Sequence, residues 1–250
     1  MRQPSRSRLA LAALALPLAA LAESRPPPLQ ALEAQGLTVH GRFAAPGGLD
    51  GYAASANGQA MTVFVTADGE HAVIGNLVDA EGNNLSAAPL DRLVRAPRDA
   101  ETRQALADSA WIADGRDDAE RIVYVFTDPN CPYCRRFFRA ARPWVEAGEV
   151  QLRHVMVGIL ERDSPRLAIS LLAADDPSAA LAAHEAGTPV EPLDALPRHW
   201  ELALQENHAL MERLGLVATP GLVYRDEDRL ATAQGMPSEA ALTKILGPRP

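Results

Sequence analysis

The chain has 250 residues, 47% of them hydrophobic, with 24 Lys and Arg against 32 Asp and Glu and a formal net charge of −8. So acidic a balance speaks against nucleic acid as a partner, and the length suits two modest domains with separate cores. With only two cysteines, both in one short stretch, the chain is not a disulfide-built scaffold.

Residues 1–22 carry Arg2, Arg6 and Arg8, then an apolar run over 9–21, and close on Ala20-Leu21-Ala22. A basic start, a short apolar middle and an Ala-x-Ala ending predict a signal peptide rather than a membrane span, with the mature chain beginning at Glu23. Cleavage would remove three of the 24 basic residues and bring the net charge near −11. No Cys stands at the cut to carry a lipid, and no later stretch approaches the roughly 20 apolar residues that cross a bilayer. The expected product is soluble and exported to an oxidising compartment.

Residues 23–92 read as a small α+β unit. Pro26-Pro27-Pro28 is a stiff lead-in, 29–35 a short helix ended by Gly36, and 37–43, 52–56, 61–66 and 71–77 are extended segments. Asp68-Gly69 signals a hairpin and 81–84 a further turn. His40 and His71 lie in strand-like runs and read as sheet residues rather than ligands. No catalytic cluster is present, and a unit this thin in core residues is expected to present a partner surface. Residues 93–113 follow as a linker. A break near Pro89 precedes a helix from about Asp99, whose apolar side is Leu106, Ala110 and Trp111 among charged residues, as in a spacer.

Residues 114–250 form the second domain, entered through the charged and Gly-bearing stretch 114–120. A strand from Arg121 leads to a helix, a strand at 151–158, a helical region at 164–214 broken at Pro177 and across 187–197, strands at 221–225 and 230–234, and a closing helix at 238–246. Strand–helix–strand followed by a hairpin and a helix is the thioredoxin pattern. Pro143 is expected to kink or end the first helix, with Trp144 in the core beside it. His199, Trp200 and His208 read as packing or surface residues.

The chemistry lies where that first strand hands over to its helix, at Cys131-Pro132-Tyr133-Cys134. Pro132 suits the first helical position, which puts Cys131 at the helix N-terminus. There, unpaired N–H groups and the helix dipole favour a thiolate over a thiol. Cys131 is then the exposed nucleophile, and Cys134, nearly one turn on and better buried, resolves a mixed disulfide. A structural disulfide across two residues would constrain little of the unfolded chain. Zinc would require four ligands, and His40, His71, His154, His184, His199 and His208 are scattered; covalent haem would require His where Arg135 stands. Neither metal nor cofactor is implied.

Val123-Tyr124-Val125-Phe126-Thr127-Asp128-Pro129-Asn130-Cys131-Pro132-Tyr133-Cys134, with Ala141-Arg142-Pro143-Trp144-Val145 and Gln151-Leu152-Arg153, resembles the DsbC/DsbG family of periplasmic thiol:disulfide interchange proteins, and the Cys-Pro-Tyr-Cys core points to its DsbG branch. The resemblance implies a cystatin-like N-terminal dimerisation domain, a linker helix, and a thioredoxin-fold domain with a helical insertion. It further implies a homodimer, periplasmic protein substrates with non-native disulfides or oxidised cysteines, and a membrane thiol reductase of the DsbD type as the source of electrons. A trans Thr219-Pro220 bond is the default for an X–Pro pair. The thioredoxin-like position instead implies a cis-Pro facing the cysteines, with Pro132, Tyr133, Thr219 and Pro220 supporting the site and pairing with substrate. Thioredoxin's buried carboxylate corresponds to Val125, so that proton acceptor is missing, and Asp128 reads equally well as an Asx turn. A DsbA-like oxidase and a holdase chaperone with secondary redox activity are the competing readings.

Overall fold

The structure, a computed structural model, describes residues 25–250. The expected leader at 1–22 and the start at Glu23 lie outside the described residues. The chain divides into two compact units on either side of the Leu90–Asp91 bond.

In the first unit, Pro27 opens helix α1 (Pro27–Ala34), and four antiparallel strands follow in spatial order β1 (Thr38–Ala44), β2 (Asp50–Ala56), β3 (Gln59–Val65) and β4 (Ala72–Ile74). Asn57 and Gly58, at φ +49° and +76°, make the tight β2–β3 turn whose left-handed backbone matches strand twist. The four extended segments expected from sequence are all present, the last shortened. After Ile74 the chain leaves β3 because Ser86 Oγ accepts the Leu77 N–H at 3.0 Å and a bond from Thr62 Oγ1 at 3.0 Å. Leu29, Leu37, Tyr52, Ala54, Val63 and Val65 form the core between α1 and the sheet. His40 bonds Ser55 Oγ at 2.7 Å, while His71 stands outside β4 in the turn, 3.7 Å from Asp68.

Helix α2 (Ala87–Leu90) closes the first unit, and the second begins with a π-helical turn at Asp91–Arg95 and helix α3 (Ala96–Asp108). The expected break and late helix start are corrected here. Pro89 sits in the first turn of α2, where no N–H bond is lost, and Pro97, which has no N–H to give, follows directly on the π-helical turn without ending the run. Nor is α3 a free spacer, because Leu106 is fully buried against the second unit's sheet and Asp99 accepts from Arg229 Nε at 2.7 Å.

That sheet has the order β5 (Trp111–Asp114), β7 (Val150–Met156), β6 (Arg121–Thr127), β8 (Gly221–Asp226) and β9 (Arg229–Gln234). Only β6 and β7 run parallel. Trp111 therefore belongs to an edge strand and not to the helix before it. Helix α4 (Pro132–Glu146) joins β6 to β7, and α5 (Ser164–Leu172), α6 (Pro177–Ala186) and α7 (Arg198–Arg213) fill the insertion before β8. Helix α8 (Glu239–Leu246) ends the fold.

Alternation along β6 builds both layers. Val123 and Val125 face α4 and α8, packing with Phe137, Ala141, Trp144 and Leu242, while Phe126 faces Leu106, Leu210 and Met211 of α3 and α7. A third cluster joins Ile112 and Met156 to the insertion helices through Ile169, Leu172, Leu181 and Leu204. Helix α4 continues through Pro143 to Glu146 rather than ending there. Its buried Trp144 donates Nε1–H to the carbonyls of Gly247 at 3.0 Å and Pro248 at 2.8 Å.

Candidate active site

Between the end of β6 at Thr127 and the start of α4 at Pro132, the turn is built by Asp128, which is fully buried. Its Oδ1 accepts from the Asn130 N–H at 2.9 Å, the expected Asx turn, and from the Ser164 hydroxyl at 2.8 Å. Its Oδ2 accepts from the N–H groups of Ile159 at 2.7 Å and Leu160 at 3.0 Å. With both oxygens doubly engaged, this carboxylate ties two loops together and has no lone pair to spare for proton transfer.

Cys131 is the N-cap of α4, at φ −79° and ψ 112°, and its Sγ accepts the Cys134 N–H at 3.2 Å. As a thiol it donates to the Thr219 carbonyl at 3.4 Å. The expectation of an exposed Cys131 is corrected, since it is 4% exposed against 3% for Cys134. Its sulfur points along the helix start to the 219–220 loop and not to solvent. Tyr133, 56% exposed, is the outward face of the motif beside exposed Pro132.

Both side chains are hidden at the surface, but the Cys134 sulfur lies deeper, so hydrogen bonds and burial together set the two apart. The Cys131 thiol is pulled down to about 6, first by donation from the Cys134 side chain, against the desolvation of burial, with help from Thr219 and the backbone N–H groups of Cys134 and Tyr133. Burial pushes the Cys134 thiol far above its ordinary range, and the neighbouring Cys131 sulfur adds to the effect. Thr219-Pro220 is cis, and both residues are buried. Around this mouth Val217, Ile159 and Leu160 are exposed apolar side chains.

Beneath the helix, Arg142 grips Asp114 with both nitrogens and lies 3.9 Å over the Phe138 ring. His154 bridges Asp114 Oδ2 at 3.4 Å and Thr127 Oγ1 at 3.0 Å, so α4, β5, β6 and β7 share one polar network. From the insertion, His184 Nε2 reaches the Pro129 carbonyl at 2.7 Å, and Glu185 stands 3.9 Å from Arg135 Nε.

A family described as a thioredoxin-like domain matches residues 112–248. The chain is 48% identical over 245 residues to the thiol:disulfide interchange protein DsbG of Pseudomonas aeruginosa, covering 96% of each chain. It is 39% identical over 236 residues to the DsbG of Escherichia coli, covering 93% of this chain and 95% of that one. The chain belongs to the DsbG family of thiol:disulfide interchange proteins. Among solved structures, the catalytic domain of Proteus mirabilis ScsC is similar at a TM-score of 0.50 and 26% identity, over 59% of this chain and 93% of that one.

Within the DsbG-type domain, the structure brings Cys131, Cys134, Thr219 and Pro220 together, with Pro132 and Tyr133 at the rim. Val125 is buried in the apolar core, so the thioredoxin carboxylate has no counterpart there. Of the insertion residues weighed from sequence, His208 accepts the Gly158 N–H at 2.9 Å and His199 stacks on Trp200, both packing roles. His184 and Glu185 went unassigned. Their only sequence signal is an adjacent His and Glu at the end of an Ala-rich helix, which looks like any solvated helix terminus until the tertiary packing is known.

Proposed function

We propose that this protein works as a periplasmic disulfide isomerase and reductase in which Cys131 attacks and Cys134 resolves. The observation that carries the reading is the placement of the pair: Cys131 caps α4 with its Sγ 3.2 Å from the Cys134 N–H and 3.4 Å from the Thr219 carbonyl that precedes cis-Pro220, an arrangement that favours ionisation of Cys131 over Cys134. The Cys131 thiolate attacks a substrate disulfide, forming a mixed disulfide and expelling a substrate thiolate that takes up a proton. Cys134 then loses its proton and attacks Cys131 Sγ, which frees the second substrate thiolate and leaves the pair oxidised. In isomerisation a substrate thiol performs the release and the pair stays reduced. A substrate sulfenic acid enters the same cycle, with hydroxide leaving as water. Thr219 and Pro220 hold the substrate strand, with Pro132 and Tyr133 at its side and the apolar rim of Val217, Ile159 and Leu160 beneath the flanking residues.

The unit at 23–92 serves as the cystatin-like dimerisation domain, and its exposed Val73 and Ile74 on the short edge strand β4 support that role. The segment before it is the export signal, and a membrane reductase of the DsbD type returns the oxidised pair to thiols. Among the described residues no helix is long and apolar enough to cross a membrane. The test is trapping: Cys134→Ala should accumulate mixed disulfides through Cys131 in the periplasm, and loss of the adducts on further Cys131→Ser substitution marks them as specific. Absence of adducts overturns the assignment. Single-cysteine captives indicate sulfenic-acid repair and multi-cysteine captives isomerisation.

A further inference from the structure

Turning a substrate disulfide into two thiols takes up two protons, yet a Cys131 thiolate and a Cys134 thiol hold only one between them; Val125 occupies the position of the thioredoxin carboxylate, and both Asp128 oxygens are engaged by donors. One carboxyl near the motif is neither exposed nor hydrogen-bonded. Glu185 on α6 is 2% exposed, and its Oε2 has no hydrogen-bond partner among the described residues. The nearest cation, Arg135 Nε, is 3.9 Å away and equally unpartnered, too far for a hydrogen bond. Arg135 directly follows Cys134, and His184, one residue before Glu185, fixes α6 to the turn through the Pro129 carbonyl at 2.7 Å. A buried carboxylate without a donor is costly, whereas a buried carboxylic acid costs far less.

We propose that Glu185 is the redox-coupled proton carrier of the Cys131–Cys134 pair, protonated while Cys131 is a thiolate and ionised once that sulfur enters a disulfide. The inference rests on the exchange role proposed for Cys131. Burial raises the Glu185 carboxyl to about 7, Arg135 opposes the rise, and the Cys131 charge adds to it, with Arg139 and Arg142 further lowering it from α4. The other elements packed on α6 supply no free charge: Asp114 of β5 is held by Arg142 and His154, and Arg166 of α5 donates to the carbonyls of Leu193 and Asp194. Removing the Cys131 charge leaves desolvation against three arginines, so the carboxyl acidifies.

The step balances. Cys131 thiolate, Cys134 thiol and Glu185 acid react with a substrate disulfide to give the Cys131–Cys134 disulfide, Glu185 carboxylate and two substrate thiols. Two electrons pass from the protein sulfurs to the substrate sulfurs, and the two protons come from Cys134 and Glu185. The site holds one negative charge before and after, which moves from sulfur to the carboxylate beside Arg135.

The experiment is carboxyl NMR on the full chain labelled with ¹³C-glutamate, titrated reduced and oxidised, with the Glu185 signal identified by its absence in Glu185→Gln. Its midpoint should fall by about one pH unit or more on oxidation, and Cys131→Ser should reproduce the lower value without touching α6. At neutral pH Glu185→Gln should also release about half a proton fewer per oxidation, since a carboxyl at about 7 is half protonated there, and its thiolate absorbance should titrate at lower pH. An identical midpoint in both redox states overturns the proposal, as does a Glu185→Gln thiolate curve that does not move. Mixed-disulfide trapping in the Cys134→Ala background reads the exchange role separately, so the two failures are distinguishable.

Discussion

Removing the Cys134 side chain tests the electrostatic account most directly. With the Cys131 thiol at about 6, some nine-tenths of it is ionised at pH 7, against about 3% for an ordinary thiol. The largest stabiliser of that thiolate is donation from Cys134, and a hydrogen bond to a charged group contributes about 1.5–3 kcal/mol. A thiol is a weak donor, so the lower end applies, close to the roughly 1.4 kcal/mol that corresponds to one pH unit. Cys134→Ala should therefore move the Cys131 midpoint from about 6 to about 7, leaving about half of the sulfur ionised at pH 7. It should stop there, because the helix-start N–H groups remain. Ultraviolet thiolate absorbance across pH, paired with the rate of alkylation by iodoacetamide, reads the change. An unmoved midpoint would show that the second thiol contributes nothing. A return to the ordinary value near 8.5 would show that the helix start contributes nothing, and either result refutes the reasoning.

Because the native Cys131 ionises below the unfolded thiol, the reduced protein should gain stability as pH rises from about 7 towards about 8.5 and lose it as pH falls back; below about 7 the raised Glu185 carboxyl, which favours the folded state at low pH, offsets the Cys131 gain. The slope should reach up to about 1.4 kcal/mol per pH unit in denaturant titrations and vanish in Cys131→Ser. Asp128→Ala orphans the donors of Asn130, Ile159, Leu160 and Ser164, and should cost more than about 3 kcal/mol in unfolding free energy while loosening the turn. Gly158→Ala would place a Cβ 2.5 Å from the Pro165 backbone, so α5 must shift, at about 1–3 kcal/mol by the same measurement. Asn207 is fully buried and bonds Ala110 N–H at 3.1 Å and the carbonyls of Ala110 and Met156 at 2.8 Å. Asn207→Leu should cost about 2–4 kcal/mol while leaving the thiolate titration in place.

Much of this was legible because the signals are local. The β-branched and aromatic run before Cys131 and the apolar spacing of Phe137, Phe138 and Ala141 each follow from one element's own burial. Three features were not legible, each for a tertiary reason. Helix α3 reads as a spacer because Leu106 is its one large apolar residue among alanines and charges, and a single fully buried leucine is enough to dock a helix when Asp99 finds Arg229 from 130 residues away. Strand β5 is four residues long, too short for alternation to show, and exists because Asp114 and Ile112 have places waiting in the sheet and the insertion core. The insertion's service to the site rests on His184 and Glu185, whose polar character in sequence argues for solvent.

The burial of Cys131 has a consequence for how the site discriminates. Two sulfurs of one helix, separated by three positions, differ in acidity because Cys134 lies deeper and is raised first by its burial, whereas Cys131 receives the Cys134 thiol and the N–H groups of the helix start. Burial alone would raise both, and it does raise Cys134. At Cys131 the Cys134 thiol and the N–H groups of the helix start together outweigh a smaller desolvation, so the negative charge is held by directed bonds. Such a thiolate keeps its ionisation when a polypeptide covers the mouth and expels water, which an exposed thiolate would not. The mouth itself is apolar, with Val217 at 85% exposed, so covering it is favourable. Binding and ionisation thus reinforce each other where, for a solvent-held charge, they would compete.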